Sequence, residues 1–311
     1  ADAMSSQVET SSTIAPARAQ LSIWQSKTWQ DRMHAILMYA VMVALGIIFM
    51  LPLSWMLTAA LRGEGEIVYT VPVSWFPTTS FHFENFWKVL TNPAYPLWRP
   101  AVNTVFLVVL NVLGSLVSNA LVAYAFARLR FVGKEFLFQV VILTMLMPGI
   151  VLLIPSFILF NMLGWYGTYL PLWVPSFFAA PFFIFIMRQY MRSFPRDLDD
   201  AARIDGCSFF GIFWNIILPL SRPVMIVVAI FTFQGVWNDF TGPLIYLNDA
   251  SKFTLQIALD YFRRSAFSGM SGSTTHLVMS ASLISVLPLL ITYFFVQKQL
   301  IGGIASVGIK G

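Results

Sequence analysis

The segment DDAARIDGCSFFGIFWNIILPLSRP, residues 199–223, carries three aspartates and two arginines in a chain that otherwise reads as apolar. Just upstream, Ser193-Phe194-Pro195 offers an N-cap and an early-helix proline. Asp197, Asp199 and Asp200 then fall in the first turns, where the helix dipole favours acids. Gly206 is a good stop residue, so a short helix is expected over 195–205. Leu198, Ala201, Ala202 and Asp205 follow i, i+3, i+4, i+7 and share one face. Alanines make that face narrow, which suits a groove on another protein. Ser208 is placed to cap a second helix, FFGIFWNIIL, apolar nearly all round and expected to end at Pro219. The same residues also suit an interfacial amphipathic helix that joins two membrane spans. Their chemistry leaves both readings open.

The surrounding composition says what kind of chain this is. Of 311 residues, 58% are hydrophobic and only 11% charged, against about 25% in soluble domains. The mean hydropathy of +0.73 agrees, so an integral membrane protein is expected, of all-α class once its apolar runs are read as helical spans. The pI near 9.4 is then a matter of membrane orientation and no argument for nucleic acid. The lone Cys207 excludes an intrachain disulfide and a cysteine metal cluster. His34, His82 and His276 are far apart and form no ligand motif, so no metal site is expected. Residues 1–35 are polar, lack the basic start and apolar core of a signal peptide, and read as a flexible tail.

Charged residues bracket the spans. Arg32–Arg62 encloses 29 uncharged residues, Arg99–Arg128 28, Glu135–Arg188 52, Arg222–Asp239 16 and Arg264–Lys298 33. A span needs about 20 apolar residues. The 52-residue run must fold back, and NMLGWYGTYLP (161–171) holds the turn signals for it. Six transmembrane helices follow, at 36–61, 101–127, 136–160, 168–188, 222–246 and 276–297. Six spans put both termini on one side. The tails and the loops after spans two and four hold thirteen Lys and Arg, the other side six, so the termini and the 189–221 loop are expected to be cytoplasmic. The external loop 62–100 carries Trp75, Phe76, Phe81, Phe86, Trp87 and Trp98, either an interfacial aromatic belt or a surface for an external partner.

Polar residues inside spans are costly and tend to face a bundle interior or a cavity. Asn103, Asn111, Ser115, Ser118, Asn119 and Tyr124 lie in span two, and Trp237, Asn238 and Asp239 late in span five. Asp239 is 17 residues past Arg222, about 25 Å up a helix. A Trp-Asn-Asp group offers an aromatic face and hydrogen bonds to a polyol. Asn and Ser also bond helix to helix, so both uses stay open. No catalytic constellation is visible, and no enzyme activity is expected. FVGKEF (131–136) has Gly133-Lys134 but neither the upstream glycine nor the Ser/Thr of a phosphate loop. An ion-coupled secondary transporter would want mid-membrane acids or histidines and a repeat architecture, which the sequence does not display. A membrane scaffold would need no docking loop.

Spacing adds a resemblance. The 200–219 segment resembles the cytoplasmic loop signature of ATP-binding-cassette importer permeases: Glu-Ala-Ala, three residues, Gly, nine residues, Ile, one residue, Leu-Pro. Asp200, Ala201, Ala202, Gly206, Ile216, Leu218 and Pro219 occupy those positions, with Asp one methylene shorter than the usual Glu. The likeness runs over about 100–311 and is to the maltose-type carbohydrate subfamily. It rests on VAYAFARLRFVGKEFLF (122–138), MPGIVLLIPSFILFNMLGWYGTYLPL (147–172), WNDFTGPLIYL (237–247) and IGGIASVGIKG (301–311) as well. It implies a type I importer permease fold over 36–311, with 189–221 as a coupling-helix loop, in a bacterial cytoplasmic membrane. It also implies a second permease subunit, two ATPase subunits that bind the ATP and Mg, an external solute-binding protein and a carbohydrate substrate. Leu198 and the signature residues would couple to the ATPase. Asn111, Asn119, Tyr124, Trp237, Asn238 and Asp239 are the candidates for the substrate path.

Overall fold

A computed structural model describes residues 27–66, 74–78, 80–92, 96–268 and 274–308, and every regular element among them is helical. The chain forms two compact units, residues 1–54 and 55–311. The described part of the first unit belongs to α1 (Lys27–Ala60). This helix starts before the expected span at 36 and takes in residues 27–35 of the expected tail, while residues 1–26 lie outside the described residues. No charged residue follows Arg32 within it, so its surface is apolar on all sides, as a membrane span requires.

The second unit is built around α3 (Trp98–Arg128), preceded by α2 (Glu84–Thr91). After it come α4 (Lys134–Met145), α5 (Gly149–Met162), α6 (Leu170–Trp173), a 3-10 stretch (Val174–Phe178) and α7 (Pro181–Arg192). The loop beyond α7 holds α8 (Asp197–Ile204), then α9 (Phe209–Ile212), a π turn (Phe213–Ile217) and α10 (Leu218–Leu220). The chain continues as α11 (Arg222–Trp237), α12 (Thr241–Tyr246), α13 (Leu255–Ser268) and α14 (Thr275–Gly308). α3 packs against α7 and α11, and α14 packs against α2, α11 and α13. Ala120, Ala123 and Ala127 are buried on α3, and side chains this small let neighbouring helices approach closely. One apolar cluster closes the Arg128 end of α3, with Tyr124, Met187, Met191, Ala202, Ile212, Phe213 and Ile217. Another closes the Trp98 end, with Val89, Leu97, Trp237, Leu255, Phe262 and Ala281.

The expected spans are helical, but not all are single straight helices. Asp31–Ala60, Trp98–Arg128, Leu170–Arg192 and Thr275–Gln297 are each long and apolar enough to cross a membrane. The expected span 136–160 is α4 and α5, bent by 98° where Leu146–Pro148 interrupt them. Pro148 lacks an N–H and disfavours helix at the residue before it. The expected span 222–246 stops at Trp237 and resumes as α12 beyond Asn238–Phe240. α11 alone, about 24 Å long, falls short of a ~30 Å hydrocarbon core. It forms a bent pair with Phe209–Leu220, at 76°.

The expected fourth span is itself broken between Trp173 and Pro181, and this break explains the polar residues of α3. Two prolines, Pro175 and Pro181, remove backbone donors there. Ala179 is the only non-glycine among the described residues at positive φ, 59°. Such a conformation costs about 1–3 kcal/mol and persists only where neighbours enforce it. The neighbours are on α3. Asn111 Nδ2 donates to the Leu172 carbonyl at 3.0 Å, and Ser118 Oγ to the Ser176 carbonyl at 3.0 Å. Asn119 Oδ1 accepts from the Ala180 N–H at 2.7 Å. Positions 111, 115, 118 and 119 follow i, i+4, i+7, i+8 and form one stripe. Gly114 sits within it, because a Cβ there would stand 2.4 Å from the Phe177 ring.

Replacing Asn119, fully buried, by leucine is predicted to leave the Ala180 N–H without its acceptor and to cost about 1–3 kcal/mol. The detergent-solubilised variant should unfold at a lower midpoint than wild type. An unchanged midpoint would mean that packing alone holds the break.

Candidate functional site

The loop after α7 is folded onto the Arg128 end of the bundle. α7 runs through to Arg192, and the Ser193 hydroxyl donates to the Tyr190 carbonyl at 2.7 Å. Ser193 therefore finishes α7 and does not cap α8, contrary to the sequence expectation. α8 starts at Asp197 without a side-chain cap. Gly206 adopts φ +82° and turns the chain, with open space where a Cβ would stand. Ser208 then caps the second arm as expected, its Oγ accepting from the Gly211 N–H at 3.1 Å. That arm is one helix with a π turn in it, and it passes Pro219 to end at Leu220.

The expected docking face is split between the two sides of α8. Ala202 and Asp199 point inward, and Ala202 belongs to the apolar cluster with Met187, Met191 and Ile217. Leu198, Asp200 and Ala201 are exposed, and Asp200 lies 3.8 Å from Arg203 in a surface ion pair. The outward face has a further member that the sequence reading missed. Ile204 is 87% exposed, an apolar side chain among charges at the end of α8. Ile204 lies three residues after Ala201, a spacing that places it on the same side as Ala201. Ile216 and Leu218 are half-buried against the same cluster, and Pro219 is exposed. Ile216 and Leu218 anchor the second arm to the bundle.

The path candidates divide in three. Asn111 and Asn119 line a cavity of about 290 Å³ between α3, the fourth-span break and α11, together with Ser115, Ser176, Phe183, Phe231 and Thr232. Thr232 Oγ1 donates to Ser115 Oγ at 3.2 Å across it. Tyr124 is elsewhere. It is buried at the Arg128 end and its hydroxyl donates to the Phe209 carbonyl at 2.9 Å. Trp237, Asn238 and Asp239 diverge from one another. Trp237 is buried and its Nε1 donates to the Ser285 carbonyl at 3.0 Å, a bond between helices. Asp239 Oδ1 accepts from the Gly242 N–H at 3.0 Å and so starts α12. Asn238 is exposed and its Nδ2 donates back to the Gln234 carbonyl at 2.8 Å. Asn103 donates to the carbonyls of Ser251 and Phe253, both at 3.0 Å, and fixes the loop before α13.

Two more cavities lie toward the Trp98 end. One, about 190 Å³, is lined by Leu97, Arg99, Phe253, Tyr261 and Phe262. The other, about 330 Å³, is lined by Phe240, Gln256, Asp260, Arg263 and Ser282. The Asp260 carboxyl is held below its usual range, chiefly by the hydrogen bond from Arg263 at 2.8 Å.

Comparison with known proteins agrees with this architecture. Residues 119–304 match the family model described as binding-protein-dependent transport system inner membrane component. The arabinooligosaccharides transport system permease protein AraQ of Halalkalibacterium halodurans is 31% identical over 260 residues, 84% of this chain and 91% of that one. The diacetylchitobiose uptake system permease protein NgcG of Streptomyces coelicolor is 27% identical over 280 residues, 89% of each chain. A chain of a bacterial ABC transporter involved in the import of the acidic polysaccharide alginate superposes with a TM-score of 0.73 at 22% identity, over 89% of this chain and 99% of that one. The helical bundle is therefore an ABC importer permease fold, and the chain belongs to the family of inner membrane components of binding-protein-dependent transport systems.

Proposed function

We propose that this chain is the transmembrane permease subunit of an ATP-driven ABC importer for a carbohydrate, an oligosaccharide or related polyol. With a second permease subunit it would form the translocation path. An external binding protein would deliver the sugar, and two ATPase subunits, which bind the ATP and Mg, would drive the cycle. One observation carries this reading. α8 buries Asp199 and Ala202 in its own bundle but leaves Leu198, Asp200, Ala201 and Ile204 exposed beside the Gly206 turn. Leu198 and Ile204 give that exposed face apolar contacts to offer a docking groove, and Asp200, Ala201 and Gly206 stand at the signature spacing. The names of the relatives, which concern oligosaccharide uptake, support the substrate class. The cavity beside Asn111 and Asn119 and the exposed Asn238 are the proposed path-lining groups of this subunit. The termini and the 189–221 loop are proposed to face the cytoplasm.

The docking reading predicts that Ala201→Trp and Ile204→Asp weaken ATPase retention. A clash of this size typically costs about 1–3 kcal/mol, roughly 5- to 150-fold in affinity. Co-purification of the tagged chain with its ATPase measures it, and full retention by both variants would contradict the docking role. Ala202→Trp should instead lower the chain's own thermal midpoint, because Ala202 is 5% exposed.

Orientation is read through the single exposed cysteine, Cys207. A membrane-impermeant maleimide should label it in inside-out vesicles and leave it unmodified in intact spheroplasts. Labelling in intact spheroplasts would reverse the assignment.

A further inference from the structure

α3 holds the proposed docking loop at two points, one on each side of the Gly206 turn. Before the turn, Arg128 Nη1 lies 3.5 Å from Asp199 Oδ2, and Arg128 Nη2 donates to the Pro195 carbonyl at 3.4 Å. After the turn, the Tyr124 hydroxyl donates to the Phe209 carbonyl at 2.9 Å, and its ring packs on Phe213 at 5.1 Å. Tyr124 and Arg128 are four residues apart and share a face of α3. Both holds are buried: Tyr124 is 6% exposed, Arg128 4% and Asp199 6%. The arms are also linked directly, because the Arg203 guanidinium lies 5.0 Å from the centre of the Phe209 ring.

The Arg128–Asp199 pair is a poor choice if its task is only to hold the fold. Arg128 Nε and Asp199 Oδ1 are buried with no hydrogen-bond partner among the described residues. A buried ion pair with idle polar atoms gains little over an apolar contact of the same shape. What it adds is direction, because a charged pair fixes register where an alanine–methionine contact can slide. One attachment would let α8 pivot about the turn at Gly206. Two attachments that straddle the turn prevent that pivot.

The other end of the connection lies on the same helix. α3 has no proline past its first turn, and Ser118 and Asn119 grip the fourth-span break about 15 Å along it from Arg128. We propose that Tyr124, Arg128 and Asp199 form a two-point clamp that makes α3 and the docking loop one rigid lever. Movement imposed on α8 then reaches the strained backbone at Ala179. All three are buried within the chain and so act as positioning residues. The inference rests on the docking reading above.

The test uses the assembled importer in lipid nanodiscs, with Cys207→Ser and a reporter at Phe178→Cys, 79% exposed beside the break. The maleimide labelling rate at position 178 is measured without nucleotide and with ATP, Mg and vanadate. In the otherwise unaltered complex the two rates should differ. Asp199→Asn combined with Tyr124→Phe should bring their ratio to one, while the ATPase stays bound and hydrolyses ATP at its basal rate. Arg128→Lys, which keeps the charge pair, should retain most of the difference. A clamp variant with bound ATPase and an undiminished difference would overturn the proposal. So would a ratio of one in the unaltered complex with ATPase bound, or loss of the ATPase from the clamp variant. Failure of the unaltered chain to retain an ATPase would instead sink the docking reading itself.

Discussion

Backbone polar groups in hydrocarbon must find partners inside the protein. The apolar stretch Leu170–Arg192 cannot supply its own, because Pro175, Pro181 and the strained Ala179 break its ladder between Trp173 and Pro181. α3 supplies them through Asn111, Ser118 and Asn119. Much of the second unit follows from that need. The stripe requires α3 to lie against the break for two turns, and Gly114 lets Phe177 approach. The cavity of about 290 Å³ is the space left where α11 meets this irregular stretch. Thr232 reaches Ser115 across it and ties the third partner in.

Both ends of α3 are then committed. At the Trp98 end, Asn103 and Thr104 bond the chain before α13, with Thr104 Oγ1 accepting from the Leu255 N–H at 2.8 Å. At the Arg128 end, Tyr124 and Arg128 hold the loop that carries α8. Arg188 on α7 adds to this end, donating to the Phe126 carbonyl at 3.2 Å and lying 3.7 Å from the centre of the Phe138 ring. The helix that grips the break is thus the helix that grips the proposed docking loop.

Parts of this were legible in the sequence and parts were not, for physical reasons. The signature spacing placed Gly206 at a turn, and the turn does use positive φ. Ser208 as a cap was legible because capping is local. The orientation of α8 was not. A face defined by i, i+3, i+4 says which residues lie together, not which side meets the chain's own bundle, so Ala202 was grouped with outward residues. Asn111, Ser118 and Asn119 stood out as polar in an apolar span. Their targets lie about 60 residues away in backbone that gives no side-chain signal. Trp237, Asn238 and Asp239 are adjacent in sequence, but their side chains diverge. Successive helical residues point about 100° apart, and the helix ends among them, so three neighbours in sequence serve three different sites. The bend at Leu146–Pro148 was visible as a proline, but the apolar run around it hid the break inside an expected span.

α3 and the loop carrying α8 are proposed to move as one body. The distance between a nitroxide on native Cys207 and one on Val117→Cys tests it most directly, both positions being exposed. Pulsed electron–electron resonance on the assembled complex would compare the nucleotide-free and vanadate-trapped states. The account predicts one distance distribution, unchanged between the two states, while distances from Cys207 to sites on α5 change. A shift of the 117–207 distance beyond the width of its distribution would show that the loop moves independently of α3, and would contradict the account.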